Sequence, residues 1–235
     1  NSPAYSGLPK VGDWRNDKQE QEIEKTSPRG LSIPQIYYRY IFKNPFMWFG
    51  CIGFLGCYIT RIAVSDWVSV YYTQEAHWSL TKANSLAFWF EIGGLVGSFF
   101  AGIISDFLFK GDRWKVNMLF LFIILFSVLS LAFINPAHYY LNVAIFFMIG
   151  WGVYGPQVLY AVGLIEITHK DAAGAATGTY GLFTYIGAAL SGLPIALIQK
   201  NFEWKGVYIF LIIMSSLTIF TLLPLMFSKK IGVIK

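Results

Sequence analysis

The sequence predicts an all-α, polytopic membrane protein that crosses the bilayer about six times, on three observations. The first is composition: 55% of the residues are hydrophobic and 18% aromatic, 13% are charged, and the mean hydropathy is +0.51. A soluble domain carries about 25% charged residues, so this chain lacks the polar groups to dress a water-facing surface. The second is segregation of the apolar residues into blocks near 46–72, 84–107, 115–134, 139–163, 172–199 and 205–227. Each block reaches the roughly 20 residues that cross a hydrocarbon core as a helix. The third is the placement of charge: fourteen of the eighteen basic residues fall before residue 46, in 108–115, in 164–171 or after 228. Three fall in 73–83 and 200–205, and the last is Arg61. That asymmetry predicts that both ends of the segment are cytoplasmic, with the cell (inner) membrane as the expected location, and it accounts for the net charge of +5 without a nucleic-acid partner.

Residues 1–45 are polar and read as a cytoplasmic loop; the run from Asp13 to Glu22 is strongly solvated. From Pro34 to Asn44 the pattern changes. Ile36, Tyr37, Tyr40 and Ile41 share a helical face with Arg39 and Lys43 elsewhere, which predicts a short helix lying at the membrane interface. The bundle is expected over 46–228, with a cytoplasmic tail at 229–235. The chain begins Asn-Ser-Pro without an initiator Met or a signal-peptide pattern, so a longer protein is expected. Short connections make consecutive spans antiparallel.

In the first block Cys51 and Cys57 point about 240° apart and read as buried free thiols. The second block repeats Gly93, Gly97, Ala101 and Ser105 every four residues, and the fifth carries Gly174, Gly178, Ala188 and Gly192. Such stripes let helices approach closely, either as static packing or as sliding surfaces. Gly155-Pro156 and Pro194 are expected to kink the fourth and fifth helices.

Ionisable groups inside apolar helices are costly and mark function. Arg61 sits roughly 14 residues, or about 20 Å, into the first helix, too deep to snorkel easily. Its planar, permanently charged fork suits phosphate or carboxylate. It reads as an anion site or, alternatively, as the partner of an acid on a neighbouring helix. Tyr58 and Ser65 share its face, whereas Asp66 points elsewhere. Asp66 reads as a gate or a cap, and Glu91 as a gate, a site residue or a structural acceptor. Thr177, Tyr180, Thr184 and Ser191, with Tyr185 beside them, form a polar stripe in the fifth helix; Tyr154 and Gln157 are neighbours in the fourth. His77, His138 and His169 lie in loops or at helix ends with no metal-ligand spacing, and no nucleophile, paired carboxylates or phosphate-cradling glycine loop appears. Neither an enzyme nor a cofactor is expected.

Gly102-Ile103-Ile104-Ser105-Asp106 followed by Lys110-Gly111-Asp112-Arg113 resembles the cytoplasmic loop signature of the major facilitator superfamily, which implies a gating or structural role for Asp106 and Arg113. Four further stretches resemble one branch of it, the organophosphate:phosphate antiporters of hexose-6-phosphate and glycerol-3-phosphate type, which include a related sugar-phosphate sensor. They are Arg61 to Trp67, Phe90 to Gly97, Tyr154-Gly155-Pro156-Gln157, and His169 to Gly187. The resemblance covers residues 8–227 and corresponds to the central loop and C-terminal six helices of a twelve-helix transporter. It implies that Arg61 grips phosphate with a second arginine from the absent N-terminal half, that Tyr58, Tyr154 and Tyr185 line the same cavity, and that a phosphorylated sugar exchanges for inorganic phosphate by alternating access; Gln157, beside Tyr154, is expected to line it too. Leu193-Pro194 and Lys200 to Trp204 lean towards the hexose-phosphate members. A sensor of the same fold is the alternative.

Overall fold

A computed structural model describes residues 7–9, 11–16, 18, 21, 32–168 and 172–227. His169, Lys170, Asp171 and the expected tail at 229–235 therefore lie outside the described residues, as do residues 17, 19, 20 and 22 of the 13–22 run. The chain divides into two compact units, Asn1–Ile36 and Tyr37–Lys235. In the first, two four-residue helices are described, α1 (Val11–Trp14) and α2 (Ile33–Ile36). Ser32 N donates to Gln35 Oε1 at 2.9 Å at the start of α2.

The second unit opens with a π-helical turn, Tyr37–Phe42, and continues as α3 (Pro45–Glu75), α4 (Leu80–Ile103, prolonged by a π-helical segment Ile104–Leu108), α5 (Arg113–Phe133), α6 (Tyr139–Glu166), α7 (Ala173–Leu190) and α8 (Leu193–Phe227). No strand occurs among the described residues. The starts are written in the sequence. Asn44 accepts from Phe46 N at 3.1 Å with Pro45 at the first helical position. Ser79 caps α4 and Asp112 caps α5. These side chains satisfy amide groups that a helix leaves without internal partners. Asn44 is fully buried, and its Nδ2 also donates to the Ile167 carbonyl at 3.2 Å. The start of α3 is thereby tied to the end of α6.

Among the described residues, five stretches are long and apolar enough to span a membrane, the last running 54 residues from Ala173 to Met226. Drawn as one helix that stretch would be about 80 Å long, far more than the ~30 Å hydrocarbon core. It is interrupted twice. Ser191 and Gly192 separate α7 from α8 just ahead of Pro194, where a kink was expected. Within α8, Glu203 takes φ 57° and ψ −168°, a left-handed conformation that breaks the helix. After it the chain runs back along α3. The Trp204 indole donates to Gln74 Oε1 at 3.2 Å, and further on Thr218 and Thr221 press against Gly56 and Gly53. The stretch thus supplies two crossings, which makes six among the described residues. Pro156, by contrast, lies inside an uninterrupted α6.

The glycine stripe of α4 packs closely against α6. A Cβ on Gly93 or Gly97 would land on the carbonyl oxygen of Phe147 or Trp151, and one on Gly150 on that of Phe90. The two backbones therefore touch over two turns. Gly152 and Gly155 of α6 make room for side chains of α5, Ile124 and the Phe120 ring. On α7, Gly174 has nothing within 4 Å and Gly178 only the Tyr37 hydroxyl at 3.5 Å, so the second stripe holds no helix close here. Cys51 and Cys57 are buried and free.

Candidate anion site on the first span

Arg61 is half-buried on α3. One helical turn earlier, the Tyr58 hydroxyl accepts from its Nη1 at 3.3 Å. From α6, the Tyr154 hydroxyl accepts from its Nη2 at 2.9 Å. The guanidinium also lies over both rings, 4.4 Å from the Tyr154 centroid and 5.3 Å from that of Tyr58, a placement in which the ring quadrupoles attract the cation. Tyr154 can sit there because Gly94 leaves room: a Cβ at that position would strike its ring.

Tyr154 does a second thing. Its hydroxyl donates to Glu91 Oε2 at 2.5 Å. Carboxylate, phenol and guanidinium thus form one chain across α4, α6 and α3. Glu91 orients the phenol, and the phenol orients the arginine. No direct ion pair to Arg61 exists among the described residues. Its remaining N–H donors have no protein acceptor among them, which leaves a positioned and uncompensated cation able to bind an anion in bidentate fashion.

The other expected site residues are not drawn into this chain. Tyr185 on α7 is 78% exposed, and Gln157 is half-buried one turn beyond Tyr154; neither makes a hydrogen bond to the cluster. Asp66 is exposed on α3. The hydroxyls of Thr177, Thr184 and Ser191 bond to carbonyls of their own helix, Ala173, Tyr180 and Ala188, a local use open to any Ser or Thr. Asp106 is exposed. Arg113 is bound at the foot of α6 by Glu166, whose Oε1 and Oε2 each accept from Nε at 2.9 Å while Nη2 lies 2.8 Å from Oε1. Sequence reasoning passed over Glu166, although a lone acid closing an apolar block beside a basic loop was the available signal. It also passed over the Trp67 indole, which donates at 3.0 Å to the Ser191 carbonyl freed by the break after α7. No group of three His, Cys, Asp or Glu side chains suited to a metal occurs among the described residues.

The described residues thus form a six-span helical bundle with a tethered cation within its first span. The profile of the Major Facilitator Superfamily matches residues 4–192, and the chain belongs to that family. It is similar to the membrane sensor protein UhpC of Salmonella typhimurium, 39% identical over 222 residues, covering 94% of this chain and 50% of that protein. It is 32% identical to the glycerol-3-phosphate transporter of Bacillus subtilis over 90% of this chain and 48% of that one. To the hexose-6-phosphate:phosphate antiporter of Salmonella typhimurium it is 31% identical, over 85% and 43%. The chain spans about half the length of the curated relatives it matches, and that half is their C-terminal one.

Proposed function

We propose that this chain is the C-terminal half of a secondary antiporter that exchanges a phosphorylated sugar, hexose-6-phosphate, for inorganic phosphate, with no catalytic step and no cofactor. The observation that carries the reading is Arg61: a permanent cation deep in a span, held by two tyrosines and left without a carboxylate of its own. Similarity to a hexose-6-phosphate:phosphate antiporter supports the choice of anion pair. In this reading a second six-helix half completes the site, and the two halves rock about it. The phosphate takes the free N–H donors of Arg61, while Tyr58 and Tyr154 keep the fork aimed. Tyr185, Gln157 and Asp66 line or gate the cavity on the face that the other half covers. Asp106 and the Arg113–Glu166 pair act at the end where α4 passes to α5.

The domain plan that goes with it is a cytoplasmic loop and interfacial segment at 1–45, the bundle at 46–228 and a tail at 229–235, with both ends of the segment in the cytoplasm of the cell inner membrane. The lopsided basic residues support that orientation. The chain alone would not transport, since half of the site is elsewhere.

A second reading, a sugar-phosphate sensor of the same fold, is favoured by one observation: identity to the sensor protein is 39%, against 31% to the antiporter. Exchange of labelled inorganic phosphate for hexose-6-phosphate by the full-length protein in proteoliposomes decides between them. Antiport requires exchange that Arg61→Ala abolishes. Intact sugar-phosphate binding without exchange establishes the sensor, and undiminished exchange by Arg61→Ala removes the anion site altogether.

A further inference from the structure

We infer that the π-helical turn Tyr37–Phe42, with Lys43, is a docking site for the headgroup of an anionic phospholipid. An α-helix would put residues 38 and 43 on different sides. Here the Lys43 amide donates to the Tyr38 carbonyl at 3.2 Å, five residues back, and that wider turn stacks the two residues. The Lys43 ammonium lies 4.8 Å from the Tyr38 ring centroid, and the Arg39 guanidinium lies 5.7 Å from that of Tyr40.

The turn has two sides of opposite character. Tyr40 and Ile41 are buried, and Ile41, 1% exposed, belongs to the main core of the bundle. Tyr38 and Phe42 are 62% and 57% exposed, and Arg39 and Lys43 stand beside them. The anchor is firm. The Trp48 indole donates to the Phe42 carbonyl at 3.2 Å, and Phe42 packs on Trp48, which packs on Phe183. A rigid platform of two exposed aromatics and two cations has the make-up of the headgroup zone, where aromatic rings sit at the boundary and basic side chains meet phosphate.

Neither cation has a carboxylate partner among the described residues. In a protein buried in lipid, the phosphodiester of a neighbouring anionic lipid is the counter-ion at hand. Asn44, next in the chain, fixes this platform to the end of α6 through Ile167, so a lipid held there bears on two spans. The inference needs only the membrane bundle and not the transport reading, and lipid binding is measured without any sugar phosphate present.

The test uses the full-length protein in nanodiscs that mix phosphatidylglycerol with phosphatidylcholine. Lipids retained after detergent extraction are counted by native mass spectrometry. A basic residue near the surface contributes about fivefold, so Arg39→Gln with Lys43→Gln should retain phosphatidylglycerol about thirtyfold more weakly. The charge-keeping pair Arg39→Lys with Lys43→Arg should hold it as the parent does, which also shows that substitution here leaves the fold intact. Lys205→Gln, beyond the Glu203 break, should change nothing. Parental retention in the double Gln variant overturns the inference, as does an equal loss in Lys205→Gln or in the charge-keeping pair. Displacement of the bound species by inorganic phosphate, with no preference for phosphatidylglycerol, overturns it in favour of a free-phosphate site.

Discussion

Replacing Tyr154 by Phe removes one oxygen and tests the whole chain from Glu91 to Arg61. The ring stays, so the cation–π contact with its 4.4 Å separation is kept. Two hydrogen bonds go: Arg61 Nη2 to the hydroxyl at 2.9 Å, and the hydroxyl to Glu91 Oε2. Both involve a charged partner, and such bonds contribute roughly 1.5–3 kcal/mol each to a protein. They are not additive, because both share one atom. The site is also part-exposed in this half, so the lower end of the range applies, and a loss of about 1.5 kcal/mol corresponds to a tenfold weaker phosphate affinity. There is a competing effect. Without the phenol, Arg61 gains a free donor, which favours binding, but Glu91 loses its partner and can turn to the guanidinium as a rival anion. In this partly screened site the rival carboxylate outweighs one extra donor. Equilibrium binding of labelled inorganic phosphate to full-length protein in detergent is the assay. A double-mutant cycle with Glu91→Gln isolates the coupling. Unchanged or tighter binding in Tyr154→Phe, or additive losses in the cycle, would refute the relay and leave Tyr154 as mere packing.

Arginine 61 itself should tolerate Lys poorly: Arg61→Lys keeps the charge but loses the fork, and phosphate exchange should fall well below half of the parent rate in proteoliposomes, with parental exchange contradicting bidentate binding. Gly93→Ala should cost about 1–3 kcal/mol by overpacking and lower the melting temperature seen by fluorescence-detected size exclusion, whereas Gly174→Ala, with nothing within 4 Å, should be neutral or stabilising. The Arg113–Glu166 pair is 22% and 51% exposed, so a stability cycle on Arg113→Gln and Glu166→Gln should give a coupling of no more than about 1 kcal/mol. A role in rocking would show instead as a change in exchange rate at unchanged stability. Trp67→Phe leaves the Ser191 carbonyl unpaired and should cost about 1 kcal/mol, read as earlier melting and as faster hydrogen exchange confined to the residues around 191–193.

Much of the bundle was legible because membrane helices report themselves one at a time. Every backbone group must be satisfied within its own helix in lipid, so length and hydropathy sufficed to place the six blocks within a few residues. Arg61 was legible for a related reason: a charge at that depth is conspicuous against apolar neighbours whatever the fold. Its partners were harder. Tyr58, one turn away, follows from helix geometry. Tyr154 was named only as one of several tyrosines, and nothing local distinguishes it from Tyr185, which is exposed here, or from Tyr160, which is fully buried. The polar stripe of the fifth block was legible as a pattern, but the use of its hydroxyls was not. Its spacing was regular, yet Thr177, Thr184 and Ser191 bond to their own helix, a choice that periodicity cannot reveal.

The sequence alone thus determined the class of fold, the number of crossings and the presence of a cation within the first span, since each depends on the energy of a single side chain or a single helix in lipid. Tertiary structure decided what depends on pairs. It showed that Gly93 and Gly97 seat α4 against α6, that Glu203 rather than a loop turns the last stretch back, that Glu166 takes Arg113, and that Glu91 reaches Arg61 through Tyr154. Hydrogen bonds and backbone contacts between helices require two elements to arrive at one place at the same height, and no property of either helix by itself carries that information.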